Sequence, residues 1–251
     1  MNKIRVIARL DIKDEYVVKG RQLEGVRRVG NPNEFATRYY QDGADEILYV
    51  DNVASLYDRN SIDEVLYNTT KNIFIPVTVG GGIRSVDDAR FLLERGADKV
   101  AINTAAIKDE SIISLIANAF GSQCMVLSIQ AKRVGNKWEA YYDNGREHSG
   151  KDVIDWAKRG EALGAGEILL TSIDCDGMMN GIDRDLVKQV CDAVSIPVIA
   201  CGGVSCAEDI ISAANEGASA IAVGSIIHYG KKTIRVLKEE VINKGGAVRI
   251  I

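Results

Sequence analysis

Short runs of β-branched and aliphatic residues alternate with amphipathic stretches from one end of the chain to the other. The runs are RVIARLD at 5–11, EILYVD at 46–51, IPVTV at 75–79 and DKVAIN at 98–103, followed by MVLSIQ at 125–130, EILLTS at 167–172, IPVIAC at 196–201 and AIAVGS at 220–225. Each is apolar without strict alternation, which is the pattern of parallel strands covered on both faces. The stretches between them, such as DDARFLLERG, place apolar residues at helical spacing. Eight β/α units in 251 residues predict the α/β class and a (β/α)8 TIM barrel, one domain over 1–251, with an open doubly wound sheet as the competitor.

The chain also repeats itself. At an offset of 121 residues, Phe74 to Ile107 falls on Ser195 to His228, matching IPV with IPV, Gly81-Gly82 with Gly202-Gly203 and Gly96-Ala97 with Gly217-Ala218. At the same offset GADEIL at 43–48 falls on GAGEIL at 164–169. One register across several units predicts two half-barrels related by a two-fold pseudo-symmetry. Two connections exceed the usual loop length, residues 12–31 after the first strand and 131–150 after the fifth, the latter with Asn144-Gly145 as a hairpin-turn signal. Both emerge at the C-terminal face, where a barrel carries its active site, so they are expected to form a lid and a wall.

Composition then narrows the chemistry. With 31 basic and 35 acidic residues the net charge is −4, which supplies no basic field for nucleic acid or an anionic membrane. No apolar run approaches a membrane span, and MNKIRVIARLD turns charged before a signal-peptide core can form, so a cytoplasmic address is expected. Five cysteines without a C-x-x-C pair read as reduced thiols, and two histidines, His148 and His228, exclude a His-rich zinc site. No metal site is expected. The remaining instruments are carboxylates, lysines and backbone donors.

Glycine pairs after strands three and seven, in VGGGIRS and ACGGVSC, allow backbone N–H groups to approach a phosphate without a side chain intervening. Asn103-Thr104 ends strand four and Gly224-Ser225 ends strand eight, giving each pair a polar companion. Because the repeat places the two copies half a turn apart, the ligand is expected to carry a phosphate at each end. Asp11 closes strand one, Asp176-Gly177 follows strand six, and Lys19 in the first long connection is within reach of an anionic ligand. The half-barrel counterpart of Asp11 is Gln130. A carboxylate there would give a general acid and base pair, whereas an amide only hydrogen-bonds.

The runs LDIKDEYVVKG, GADEILYVDNVAS, VGGGIRSVDDARFLLERGADKVAINTAA, FGSQC, WAKRGEALGAGEILLTSIDCDG and SIPVIACGG resemble the cyclase subunits of imidazole glycerol phosphate synthase over essentially the whole chain. The resemblance implies a barrel that takes ammonia from a separate glutaminase subunit. It implies use of that ammonia to split and cyclise a nucleotide-linked bisphosphate, giving imidazole glycerol phosphate and an aminoimidazole carboxamide ribotide. No cofactor is expected. Carried over position by position, it makes Asp11 the first catalytic aspartate and Lys19 the lid lysine. It assigns one phosphate site to Gly82, Asn103 and Thr104 and the other to Asp176, Gly177, Gly203, Gly224 and Ser225. Arg5, Glu46, Lys99 and Glu167 match an ammonia gate at the strand starts, and Asp98 and Gln123 match positions facing the glutaminase.

Two departures stand out. Gln130 occupies the place of the second catalytic aspartate, and Arg9 replaces the small residue usual in the first strand. Four readings follow: a cyclase of the histidine pathway; a relative that passes ammonia to another acceptor, such as a surface sugar being amidinated; a non-catalytic phosphate-binding partner of the glutaminase; and the related barrel isomerase. The isomerase is disfavoured because the gate residues and FGSQC match the cyclase.

Overall fold

The computed structural model describes residues 3–52 and 62–250. The last three residues of the GADEILYVDNVAS run, 53–55, and residues 1 and 2 of the N-terminal run lie outside those described. The first half contains β1 (Arg5–Lys13), β2 (Tyr16–Arg21), β3 (Glu24–Gly30), α1 (Pro32–Gln41), β4 (Glu46–Asp51), α2 (Ile62–Thr70), β5 (Val77–Gly80), α3 (Val86–Glu94), β6 (Lys99–Ile102), α4 (Thr104–Lys108) and α5 (Ser111–Phe120). The second half contains β7 (Met125–Val134), β8 (Lys137–Tyr142), β9 (Glu147–Asp152), α6 (Val153–Ala162), β10 (Glu167–Ser172), α7 (Arg184–Ala193), β11 (Val198–Cys201), α8 (Ala207–Asn215), β12 (Ala220–Val223), α9 (Ser225–His228) and α10 (Ile234–Asn243).

Strands β1, β4, β5, β6, β7, β10, β11 and β12 pair in parallel in that order, and β12 returns to β1, closing an eight-stranded barrel with helices between strands. The open-sheet alternative is thereby excluded. Alternation along each strand sorts side chains to two cores. Val6, Ala8, Leu10 and Ile12 of β1 face the helices, as do Ile47 and Tyr49 of β4. Ile7, Leu48, Ala101, Val126, Leu169 and Ile199 point inward and pack with Cys201, Ala220 and Ala222 in the lumen.

The pseudo-symmetry extends to details. Gly81 and Gly202 have φ of 96° and 102°, and Gly96 and Gly217 have φ of 103° and 97°. A Cβ at Gly81 would stand 2.3 Å from the Asp51 carbonyl oxygen, so this turn admits only glycine. Helices α3 and α8 both start with a capping box in which Asp88 and Asp209 accept from the backbone at Ser85 and Cys206.

Several strand boundaries shift from the sequence expectation, and four of the shifts have plain local reasons. Strand β5 starts at Val77 and β11 at Val198 because Pro76 and Pro197 lack the N–H a ladder needs; their carbonyls still accept from Ile47 and Ile168 at 3.0 and 2.9 Å. Strands β1 and β7 run past Asp11 and Gln130 because the two long connections are antiparallel hairpins that extend them. Strands β2 and β3 follow β1, and β8 and β9 follow β7, with Asn144 and Gly145 at positive φ in the second turn. The lid and the wall are therefore ordered sheet extensions standing on the C-terminal mouth.

Candidate functional site

At the strand starts, four charges form a closed ring. Arg5 donates to Glu46 at 3.0 Å and to Glu167, while Lys99 donates to Glu46 at 2.9 Å and to Glu167 at 2.7 Å. Alternation puts these residues on the lumen side of β1, β4, β6 and β10, so each glutamate bridges the same two cations. Thr78, one strand over, donates its hydroxyl to Glu46 and completes the shell. The ring floors the lumen, and beside it, on the outer N-terminal face, lies a cavity of 760 Å³ lined by Arg5, Lys99, Gln123 and Glu167. Gln123 is exposed there. Asp98 is also exposed, and one of its oxygens accepts from the Val77 N–H at 2.8 Å, so it braces the start of β5 as well.

The mouth at the opposite end is asymmetric. One side is a cavity of 310 Å³ that contains Gly80 to Gly82, Asn103, Thr104 and Gln130 and descends into the lumen at Ala101, Ser128 and Leu169. Asn103 donates its amide to the Tyr141 carbonyl at 3.1 Å, and the Thr104 hydroxyl accepts from the Asp143 N–H, so the second hairpin braces this cradle. Among the described residues the side-chain oxygens of Asn52, Asn103 and Gln130 are buried without partners, and all three residues line the cavity. Such buried acceptors call for a ligand bearing donors.

The other side holds Gly177, Gly203, Gly224 and Ser225 around a space of only 20 Å³. A Cβ at Gly203 would meet the Gly181 carbonyl at 2.0 Å, and one at Gly177 the Gly20 carbonyl at 2.2 Å, so the cradle and the first hairpin touch through bare backbone. The Ser225 hydroxyl is buried and has no partner among the described residues.

Between the cradles sits a buried cluster of two cations and two anions. The Lys19 ammonium, carried by β2, lies 2.9 Å from Asp11 and 2.9 Å from both Asp176 oxygens. The Arg9 guanidinium lies 2.9 Å from the other Asp11 oxygen and also reaches Thr171 and Cys201. Burial alone would raise the Asp11 carboxyl, but Arg9 and then Lys19 hold it well below the usual carboxylate range. Lys19, which burial would deprotonate, is held charged by Asp11 and Asp176. Asp11 is thus a fixed carboxylate, which supplies charge and is ill suited to take up a proton near neutrality.

The structure therefore gathers Asp11, Lys19 and Asp176 in one cluster, Gly82, Asn103, Thr104 and Gln130 around one cavity, and Arg5, Glu46, Lys99 and Glu167 in one ring. No hydrogen bond joins Asp11 to Gln130, which stand on strands half a turn apart among the described residues. The sequence reading missed Thr78, Ser128, Thr171 and Cys201. Strand alternation, counted along each strand from Gly80, Gln130, Glu167 and Ile199, is the signal that places them in the lumen.

A family model described as histidine biosynthesis protein matches residues 5–233. The chain is similar to imidazole glycerol phosphate synthase subunit HisF of Legionella pneumophila, 62% identical over 210 residues, which is 83% of this chain and 99% of that protein. It is similar to the subunit of the same name in Dehalococcoides mccartyi, 46% identical over 251 residues covering 100% and 99% of the two chains. The same holds for Pyrococcus furiosus, 47% identical over 246 residues, 98% of each chain.

Proposed function

The chain belongs to the histidine biosynthesis protein family, and from that premise we propose that it is the cyclase subunit of an imidazole glycerol phosphate synthase, one domain working in the cytoplasm as a heterodimer with a glutaminase. A closed charge ring at one end of an apolar lumen, with two glycine cradles at the other, carries this reading. Ammonia released by a glutaminase at the strand starts would pass the ring between Arg5, Glu46, Lys99 and Glu167. Beyond it the lumen is lined by aliphatic side chains, which admit neutral ammonia and reject ammonium through the cost of burying an unpaired charge.

At the mouth, Gly82, Asn103 and Thr104 would hold one phosphate of the bisphosphate. Gly177, Gly203, Gly224 and Ser225 would hold the other, with Lys19 as its cation once it is released from Asp176, which holds it in this structure. That second phosphate cannot share the 20 Å³ space with the side chains now filling it, so its entry requires Lys19 to leave Asp176. The side-chain oxygens of Asn103 and Gln130, unpartnered among the described residues, would meet donors of the nucleotide-linked ligand. Asp11 would stabilise positive charge that develops as the amine adds, and Gln130 would orient the substrate without exchanging a proton.

The absence of a second carboxylate at Gln130 favours a subsidiary reading, a barrel whose ammonia serves another acceptor. Turnover of the bisphosphate with an ammonium salt, and with glutamine plus the glutaminase, tests both. Formation of the imidazole product supports the cyclase. Failure of the bisphosphate to bind at either cradle sinks it.

A further inference from the structure

Strands β1 and β7 occupy equivalent places in the two half-barrels, so their lumen-facing residues pair as Asp11 with Gln130 and, one step deeper, Arg9 with Ser128. The second pair differs greatly in size. Ser128 leaves room for the 310 Å³ cavity to descend into the lumen, whereas the space beside Arg9 is 20 Å³. From β1 the Arg9 side chain crosses the lumen past β12 and ends on β10 and β11. Its Nη1 stands 3.1 Å from Thr171 Oγ1 and 3.1 Å from Cys201 Sγ, while its Nε is 2.9 Å from Asp11 Oδ1. Thr171 is in register with both Gln130 and Cys201, so the guanidinium spans the barrel in the layer just below the mouth.

We infer that Arg9 seals one side of the lumen and holds Asp11 as a fixed anion, so that a small nitrogen nucleophile crossing the barrel emerges on the Ser128–Gln130 side, against the Gly82–Thr104 cradle. Arg9 is then a positioning residue, acting through the shape of the lumen and through Asp11. The delivery of nitrogen rests on the ammonia-using function proposed above; the seal does not.

The charge balance gives the inference a second, independent consequence. Asp11 is faced by Arg9 on its own strand, Lys19 on β2, Asp176 after β10, Cys201 on β11 and His228 on α9. With Arg9 present, two carboxylates face two cations. Without the guanidinium, Asp11 and Asp176 share Lys19 alone, and the Asp11 carboxyl moves back up toward the ordinary carboxylate range. Proton exchange at the mouth then becomes possible.

The test compares the natural protein with Arg9→Ser, which copies the size of Ser128, and with Arg9→Met, which fills the lumen without charge. Methyl methanethiosulfonate, followed by peptide mass mapping, reads the seal. Cys201 should react at least about tenfold faster in Arg9→Ser than in the natural protein or Arg9→Met, and Ser128→Cys should introduce a thiol that reacts faster than Cys201 in the same chain. Ammonium-dependent turnover of the bisphosphate should rise at least about tenfold in Arg9→Ser, and both Arg9 variants should gain an acid limb in the pH profile that the natural protein lacks. Equal labelling of Cys201 and the thiol from Ser128→Cys, a comparison that leaves Arg9 in place, would overturn the seal. Turnover and pH profile unchanged in both Arg9 variants, with the bisphosphate still bound, would overturn the hold on Asp11. Opening of Cys201 without bisphosphate binding in any form would instead remove the cyclase function and leave the seal standing.

Discussion

At Gln130 one atom decides the chemistry. The side chain is buried and lines the 310 Å³ cavity at the mouth, and its oxygen has no hydrogen-bond partner among the described residues. A positioned acid or base contributes typically a hundredfold to ten-thousandfold in rate, which an amide cannot supply. Gln130→Asp restores a carboxylate opposite Asp11 at little change in volume. Turnover of the bisphosphate should rise about a hundredfold, on the order of 2.7 kcal/mol of barrier, measured with saturating ammonium salt. Unchanged turnover with the bisphosphate bound would assign the deficit to Arg9. A second residue, His228, controls stability. Arg38 donates to the Tyr39 oxygen, and the Tyr39 hydroxyl and His228 Nδ1 share a hydrogen bond of 2.6 Å. Burial, reinforced by Lys19, lowers the His228 pKa from 6.5 to about 4. Between those values the unfolded chain binds the extra proton, so stability is full above pH 6.5 and falls as pH drops toward 4, by up to about 3 kcal/mol. Denaturant melts at pH 7 and pH 4.5 should show that loss, and His228→Gln should flatten it. If the two proteins lose stability in parallel, the histidine is not its source.

Among the elements, the capping boxes of α3 and α8 show how the repeat is enforced. Asp88 accepts from Arg84, Ser85 and the Ser85 hydroxyl, and Asp209 accepts from Ser205, Cys206 and the Ser205 hydroxyl. Each carboxylate ties a glycine turn to the helix behind it. Asp88→Ala and Asp209→Ala should each cost about 1 kcal/mol, or about 2–4 °C in melting temperature, and nearly twice that together because the caps are far apart in the barrel order. A double variant no less stable than either single would refute the independence of the two halves. The same elements show what was legible in the sequence. EILYVD and EILLTS map onto β4 and β10 at both ends, because each run is bounded by an acidic strand start and a polar exit. The hairpin after β1 reads only as a long connection, because KDEYVVKGRQLEGVRRVG alternates weakly and its strands pair with neighbours that periodicity cannot name, whereas Asn144-Gly145 marks the turn of the hairpin after β7. The residues Asp11, Lys19 and Asp176 were legible one at a time. That they meet in one cluster bridged by Arg9 depends on barrel closure, which brings residue 9 to residues 171 and 201.

For the whole molecule, the two ends of the barrel are expected to report on each other through the lumen. Lys99 bridges Glu46 and Glu167, which are both buried, and Arg5 is the only other cation between them in the ring. Lys99→Ala leaves two buried glutamates on one partly exposed arginine. The ring should then open or take up protons, while the mouth, at the far end of the strands, keeps both cradles. Turnover with ammonium salt should therefore stay within about twofold of the natural protein. Turnover with glutamine and the glutaminase should need more glutamine per product, since ammonia escapes at a floor that no longer closes. Charge reversal by Asp98→Lys acts on the outer face instead and should weaken association with the glutaminase, read as a higher Kd, beyond the loss of its single bond to Val77. Asp98→Asn, which retains an acceptor for that bond, separates the two effects. Unchanged glutamine coupling in Lys99→Ala and unchanged affinity in Asp98→Lys would leave the ring a structural brace, and ammonia would have to reach the mouth from solvent.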